Sequence, residues 1–284
     1  MKNHFKYLVF LAILISQFSF SQEEIEKHPL LTDKFVFTGG LFLPSKELKI
    51  SVNGEAVDAD INLGKRFDFE EYQRTFNVGF DWRFAKKWKL SADVFRINTV
   101  NVAAIDEDDP IEWEDYKFAG QVELGVDITV LRSMVSRIIS RGDKHELGVG
   151  IGFHIMPVSI YIEGEATLID PDGEENEAAF ERQGISVTAP LPDIGLYYNW
   201  APTSKWFFKA DVDFFYIAIG DYKGWLWDFS GGVKYQIVDF FGVGVNYKYY
   251  SVDFEVDGGN DVGSWNGSAG ITYSGPMFLV HFNF

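Results

Sequence analysis

The chain of 284 residues is short of the side chains that most reactions need, and those it has are scattered. It contains no cysteine, which excludes disulfides, zinc–thiolate sites, thiol catalysis and a lipid anchor on cysteine. Beyond residue 21 its histidines are His28, His145, His154 and His281. A protease that activates water needs histidine and carboxylates held together. Only His154 sits inside a strand-like segment, and Met156 rather than an acidic residue stands beside it. A lipase or deacylase needs serine and histidine within hydrogen-bond reach, and no His-x-Ser pair occurs. Asp170-Pro171-Asp172-Gly173-Glu174 has the opening of a calcium loop but lacks the remaining ligands at their spacing. The expectation is no catalytic residue, no cofactor and no dedicated metal site.

What remains is a set of charges that alternate with apolar residues. Asp81, Arg83, Lys89, Asp93, Lys117, Glu123, Asp127, Lys209, Asp211, Asp213, Asp228, Lys234 and Lys248 all fall in such runs. From Arg74 to Phe84, Phe76, Val78, Phe80, Trp82 and Phe84 share one face, while Asn77, Gly79, Asp81 and Arg83 share the other. From Lys117 to Val130, Phe118, Val122, Leu124, Val126 and Ile128 oppose Lys117, Gln121, Glu123, Asp127 and Thr129. Trp206–Tyr216 and Trp225–Ile237 repeat the pattern. Period two is the strand signature.

Composition says which way these strands face. Hydrophobic residues make up 46% and aromatics 17%, with 27 Phe, yet mean hydropathy is only −0.06. A continuous aromatic face opposed to a charged one suits a barrel that turns its apolar side to lipid and its charges to the lumen. No stretch after the N-terminus is long and apolar enough for a transmembrane helix, so a membrane form must be a closed barrel. The formal charge of −17 argues against nucleic acid, whose phosphates demand Lys and Arg.

Residues 1–21 read as a signal peptide: Lys2 and Lys6, an apolar run from Tyr7 to Ile15, then Ser19-Phe20-Ser21 before a cleavage site at Gln22. Cleavage would deepen the charge from −17 to −19, since two lysines and no acid are lost. Residues 22–33 form a periplasmic lead-in and 34–284 the barrel. Trp82 and Trp88 flank one tight turn and Trp200 and Trp206 another, each pair followed by Ala-Asp-Val at the same offset. Short connections fall around Lys86, Asp143, Thr203 and Asp239, and longer acidic ones around Asp106–Asp109, Asp170–Glu177 and Asp257–Asp261. Barrels put short turns in the periplasm and long loops outside. Val52–Tyr72 reads as a long first loop, although Val57–Leu63 alternates and could add a strand. Gly275-Pro276 marks an irregularity inside a long last strand.

The chain resembles the small outer-membrane β-barrel proteins of Gram-negative bacteria that carry no assigned activity. The resemblance rests on Trp82-Arg83-Phe84, Thr188-Ala189-Pro190-Leu191-Pro192, Gly220-Asp221-Tyr222-Lys223-Gly224 and Gly242-Val243-Gly244-Val245-Asn246-Tyr247. The end of the chain also carries it. Phe278, Val280, Phe282 and the terminal Phe284 resemble the C-terminal signal recognised during barrel assembly. The Ser-Gln end of the signal peptide is similar to that of Bacteroidota proteins.

The expected fold is therefore all-β, a transmembrane antiparallel barrel of about 10 strands, with about 12 as the alternative. The expected location is the cell outer membrane. Its partners would be outer-membrane lipid and lipopolysaccharide (through loose divalent bridging), the barrel-assembly machinery, and an envelope protein whose identity the sequence leaves open. Charges of both signs suit a lumen filled by side chains, so the expected role is a non-enzymatic structural or accessory component. A narrow passive channel for small polar solutes is the alternative, and an outer-membrane hydrolase is disfavoured.

Overall fold

A computed structural model describes residues 27–52, 74–113, 116–168, 179–220, 222–257 and 266–284. The signal peptide, the alternation over Val57–Leu63, the acidic loops at Asp170–Glu177 and Asp257–Asp261 beyond Asp257, and the calcium-loop opening lie outside them.

A short helix, α1 (Pro29–Thr32), precedes the strands β1 (Phe35–Phe42), β2 (Ser45–Val52), β3 (Thr75–Ala85), β4 (Trp88–Ile105), β5 (Ile111–Trp113) and β6 (Tyr116–Arg141). These are followed by β7 (His145–Leu168), β8 (Ala179–Trp200), β9 (Trp206–Ile219), β10 (Tyr222–Val238), β11 (Phe241–Asp257) and β12 (Asn266–Asn283). All neighbours pair antiparallel, and β12 closes the ring on β1. Of the 12 strand segments among the described residues, β5 pairs there only with β6, and β2 continues β1 along the same partner, β12. The ring is thus ten strands.

The irregularity predicted at Gly275-Pro276 is a break in the neighbouring strand. β12 runs unbroken through those residues, while the first strand is interrupted at Leu43-Pro44 directly opposite. A Cβ on Gly275 would lie 2.9 Å from the Leu43 carbonyl carbon, so the close crossing requires glycine. Elsewhere, Pro190 and Pro192 fall where the ladder from β8 to β9 stops, above Ile194. The ladder from β8 to β7 continues past them. Two prolines at alternate positions remove donors from one edge only, which ends pairing on that edge.

The short turns at 86–87, 142–144, 201–205 and 239–240 all lie at one end. Around the half of the barrel nearest them, the outward face is aliphatic and aromatic. Trp206, Trp227, Phe229, Tyr247, Phe278, Val280 and Phe282 are exposed there. Trp88, Trp200 and Trp206 mark the turn-side border, where both sequence-matched hairpins sit. β6, at 26 residues, and β7, at 24, run far beyond the ~9–11 residues a spanning strand needs. Their extra length carries the wall out past the lipid belt on the side away from the short turns.

On that extension the inward face turns apolar and much of the outward face polar, although Phe76, Val100, Val102 and Phe180 stay exposed outside. Outside stand Arg96 paired with Asp127, Glu163 with Arg182 at 3.3 Å, and Ser159 bonded to Ser186 at 2.8 Å. Inside, one buried cluster joins Phe42, Phe95, Phe118, Leu124, Ile128, Ile162, Leu226 and Tyr250. Phe95 meets Phe42 edge to face at 5.5 Å. This overturns two expectations. Lys117, Glu123 and Asp127 lie on the outer wall, not in the lumen, because β6 turns its apolar face inward here. The interior is also not charged throughout, since its outer half is hydrocarbon.

Candidate functional site

The exchange happens at one level around the ring. On β4 the inward residues change from Asp93 to Phe95, on β6 from Arg132 to Val130, and on β7 from His154 to Met156. On β8 they change from Asp193 to Leu191, on β10 from Asp228 to Leu226, and on β11 from Lys248 to Tyr250. Cross-strand register places Asp93, Arg132 and His154 side by side, and sets Asp213 opposite Asp228.

A cluster of ion pairs occupies this level. His154 Nδ1 lies 2.8 Å from Asp193 Oδ2 and its Nε2 lies 3.1 Å from Asp228 Oδ2. Carboxylates only accept, so both contacts are hydrogen bonds when the ring carries both protons. Lys248 Nζ donates to both oxygens of Asp228, at 2.8 and 2.7 Å. Arg132 grips Asp213 with two guanidinium nitrogens and reaches Asp93 at 3.6 Å. Such bidentate geometry is the strong form of the interaction. Small residues make the room: a Cβ on Gly195 would fall 2.6 Å from Met134 Cε.

Toward the short turns a second tier follows. Lys209 pairs with Asp211 at 3.2 Å, Lys89 with Asp81 at 3.7 Å, and Arg83 with Glu146 at 2.5 Å. Tyr197 donates to Glu146 at 3.0 Å, and Lys89 lies over the Tyr197 ring at 3.7 Å. A polar cavity of about 70 Å³ lies among Asp93, Arg132, Asp213, Lys234 and Lys248, room for a few waters at the ~10–15 Å³ each requires.

The mouth beside the short turns is stoppered by the N-terminal segment. Leu30 and Leu31 of α1 pack with Val36, Ala201 and Phe207. Arg83 donates to the Leu30 carbonyl at 3.0 Å, Arg141 to that of Leu31, and Asn283 to Asp33 at 2.6 Å. His28 packs on Phe207 and accepts from the Leu30 N–H at 3.2 Å. Burial pushes its imidazole down to about 4, so it is neutral there at ordinary pH.

Asp81, Arg83, Lys89, Asp93, Lys209, Asp211, Asp213, Asp228, Lys234 and Lys248 thus stand inside the barrel. Sequence reasoning missed Arg132, Glu146 and Asp193, and it missed the acidic surroundings of His154. Asp193 and Asn199 were legible, because Ile194, Leu196, Tyr198 and Trp200 form an apolar face that sets them opposite. Phe278, Val280, Phe282 and Phe284 all face outward. The last residue also sews the ring shut, its carbonyl accepting from Lys34 and Phe35 at 2.8 and 2.9 Å.

Chemically, the cluster is built to hold. Ligand atoms of His154, Asp213 and Asp228 lie within 4.8 Å of one another, but Arg132 and Lys248 already neutralise those carboxylates. A metal ion would have to displace them. Above the histidine, Tyr250 donates to Met156 Sδ at 2.6 Å and both are buried, which closes the approach from the far end.

No family model and no curated protein matches the chain. Among solved structures it is similar to the outer membrane protease OmpT of Escherichia coli, at 11% identity over 93% of this chain and 100% of that one, with a TM-score of 0.54. It also aligns with the outer membrane protein OprG of Pseudomonas aeruginosa, at 10% identity over 92% and 99% of the two chains, TM-score 0.38. A third alignment is with the Pseudomonas putida toluene transporter TodX, at 10% identity over 90% and 92%, TM-score 0.36. The first likeness carries the fold. A closed antiparallel ring with an aromatic lipid-facing belt, on a fold shared with an outer-membrane protein, makes this chain a small integral β-barrel of the outer membrane.

Proposed function

We propose that the chain is a non-enzymatic barrel with a filled lumen, a structural or accessory component of the envelope. The observation that carries this reading is closure at three levels: the apolar core in the extension, the ion-paired cluster at mid-height, and the α1 stopper in the mouth. Small barrels are filled by their own side chains, whereas open channels need more strands. An omptin-like protease reading would need His154 and its carboxylates open to a peptide, and they lie beneath buried Met156, Leu191 and Tyr250. Its partners would be lipid and lipopolysaccharide around the belt, the assembly machinery acting on Phe278–Phe284, and an envelope protein to be found by co-purification.

Planar-bilayer recording tests it. The purified barrel should add no steady conductance above baseline. Steady, ion-selective current would overturn the reading and promote a narrow channel for small polar solutes, the reading that the cavity of about 70 Å³ favours. Deleting Phe284 should lower the fraction of chain that assembles, read as the heat-modifiable gel band. Normal assembly would detach the terminal aromatic from that role.

A further inference from the structure

The two hairpins that share a sequence pattern differ at one cross-strand position. The second tryptophan of one, Trp206, stands opposite Tyr235 of β10, and their rings meet edge to face at 4.9 Å. Its counterpart Trp88 stands opposite Arg137 of β6, whose guanidinium carbon lies 6.0 Å from the centre of the Trp88 ring. The turns differ in the same direction. Residues 201–205 include one cation, Lys205, whereas Lys86 and Lys87 make up the whole of the other turn. The Lys87 carbonyl accepts from the Ile138 N–H at 2.9 Å, which draws that turn against β6 beside Arg137. Lys86, Lys87 and Arg137 are all exposed, and none makes an ion pair among the described residues.

The chain carries a net charge of −17, yet its acids stay away from this arc. No carboxylate occurs from Trp82 to Ala92 or from Arg132 to Gly142. Of the acids in the short turns, Asp143 pairs with Lys27 at 3.0 Å, and Asp239 lies between β10 and β11, across the ring. Glu146 is buried between Arg83 and Arg141, and Asp33 is turned to Asn283 in the mouth. Directly beside Arg137, toward mid-barrel, the outer wall is hydrocarbon: Val135, Ile139 and Val149 are exposed there.

We propose that Lys86, Lys87 and Arg137 form a headgroup site for one anionic phospholipid of the inner leaflet. Arg137 and the two turn lysines hold its phosphate, and its acyl chains lie on Val135, Ile139 and Val149. A guanidinium offers a phosphate two parallel N–H groups. The Trp88 indole fixes the depth, because tryptophan rings settle at the membrane interface. Barrels turn their short connections to the periplasm, so the leaflet met here is the phospholipid one, and clustered cations attract its anionic members. This sharpens the lipid partnership proposed above, and its failure would leave the filled lumen standing.

Native mass spectrometry of the wild-type barrel in detergent, with equal amounts of phosphatidylglycerol and phosphatidylcholine added, tests the site. The wild type should retain phosphatidylglycerol in preference. Arg137→Gln should cut that preference about fivefold, the worth of one basic residue near an anionic surface. The triple variant with Lys86→Gln and Lys87→Gln added should hold both lipids alike. Lys205→Gln, in the matching hairpin, should leave the preference unchanged. No preference in the wild type would overturn the proposal. So would an equal loss from Lys205→Gln, which would mean a diffuse attraction of the whole end. Co-sedimentation with peptidoglycan that depends on the same three cations, without a lipid preference, would overturn it in favour of an acidic peptide. Should the triple variant fail to give the heat-modifiable band, the wild type, Arg137→Gln and Lys205→Gln decide.

Discussion

One wall serves two environments in this barrel. Around the belt, Trp227, Phe229 and Val245 face lipid while Asp228 and Lys248 face inward. In the extension, Asp127 and Glu163 stand outside while Ile128 and Ile162 are fully buried within. On β6 and β7 the alternation keeps its period of two across the boundary and its polarity inverts, while Phe76, Val100, Val102 and Phe180 keep apolar side chains on the outer face elsewhere in the extension. β6 shows this on a single strand: the even positions are apolar from Phe118 to Val130, then Arg132 and Ser136 follow on that same inward face. What sets the polarity of each face is the medium outside. Lipid leaves charges only the lumen, where they must be paired. Water takes the charges and leaves the lumen for a hydrophobic core.

Removing one cation from each half should separate the two environments most strongly. Arg132→Ala leaves Asp213 buried without its guanidinium and should cost about 3–5 kcal/mol. The barrel's gel-mobility transition should then fall by about 6–20 °C, at roughly 2–4 °C per kcal/mol. Arg96→Ala removes the partner of Asp127 on the water-exposed wall and should cost at most about 1 kcal/mol. Equal losses would mean that the two pairs share one environment.

Truncating a hydrocarbon gives the mirror image. Ile128→Ala opens a cavity in the packed core of the extension and should cost about 2–5 kcal/mol. Val245→Ala, on the lipid face of β11, loses contacts that lipid chains can replace, so about 1 kcal/mol or less is expected. Urea or heat titration of both folded variants checks this. A larger loss from Val245→Ala would show that the belt, not the extension, holds the tight packing.

The same boundary decides how much was legible in the sequence. Ring closure, the ten-strand count, the short-turn end and the inward set around Asp211 and Asp228 follow from periodicity, because those strands carry tryptophans that point to lipid. The side of Lys117, Glu123 and Asp127 did not follow. Periodicity sorts residues into two faces without saying which face is wet, and their stretch has no aromatic belt to decide it. The clue lay at Val130-Leu131, where the apolar positions slip from even to odd: Leu131, Val135 and Ile139 take over. The carboxylates around His154 were hidden for a different reason. Asp193 and Asp228 lie 39 and 74 residues away in sequence, and only closure of the ring brings them to one level.

The two ends of the filled lumen also differ, and pH should separate them with the smallest effect of the three. The apolar core that seals the extension has no titrating group among Phe95, Leu124 and Ile128. The stopper at the mouth has His28, which lies before the first strand, neutral and buried, with its pKa lowered to about 4. In the unfolded chain that imidazole takes a proton near pH 6.5. The folded stopper resists protonation, so its contribution is fully present above about pH 6.5 and is lost as pH falls from there toward about 4. Partial exposure of a loosened stopper to water limits the loss to about 1–2 kcal/mol. Hydrogen exchange at Leu30 and Leu31 should accelerate between pH 7 and pH 5 beyond the intrinsic trend, while the amides of Leu124 and Ile128 should not. His28→Leu should abolish the difference, because the side chain that packs on Phe207 no longer titrates. If Leu30 and Leu31 keep the same protection across that range, the mouth is held by Arg83, Arg141 and Asn283, and the stopper is as indifferent to acid as the core above it.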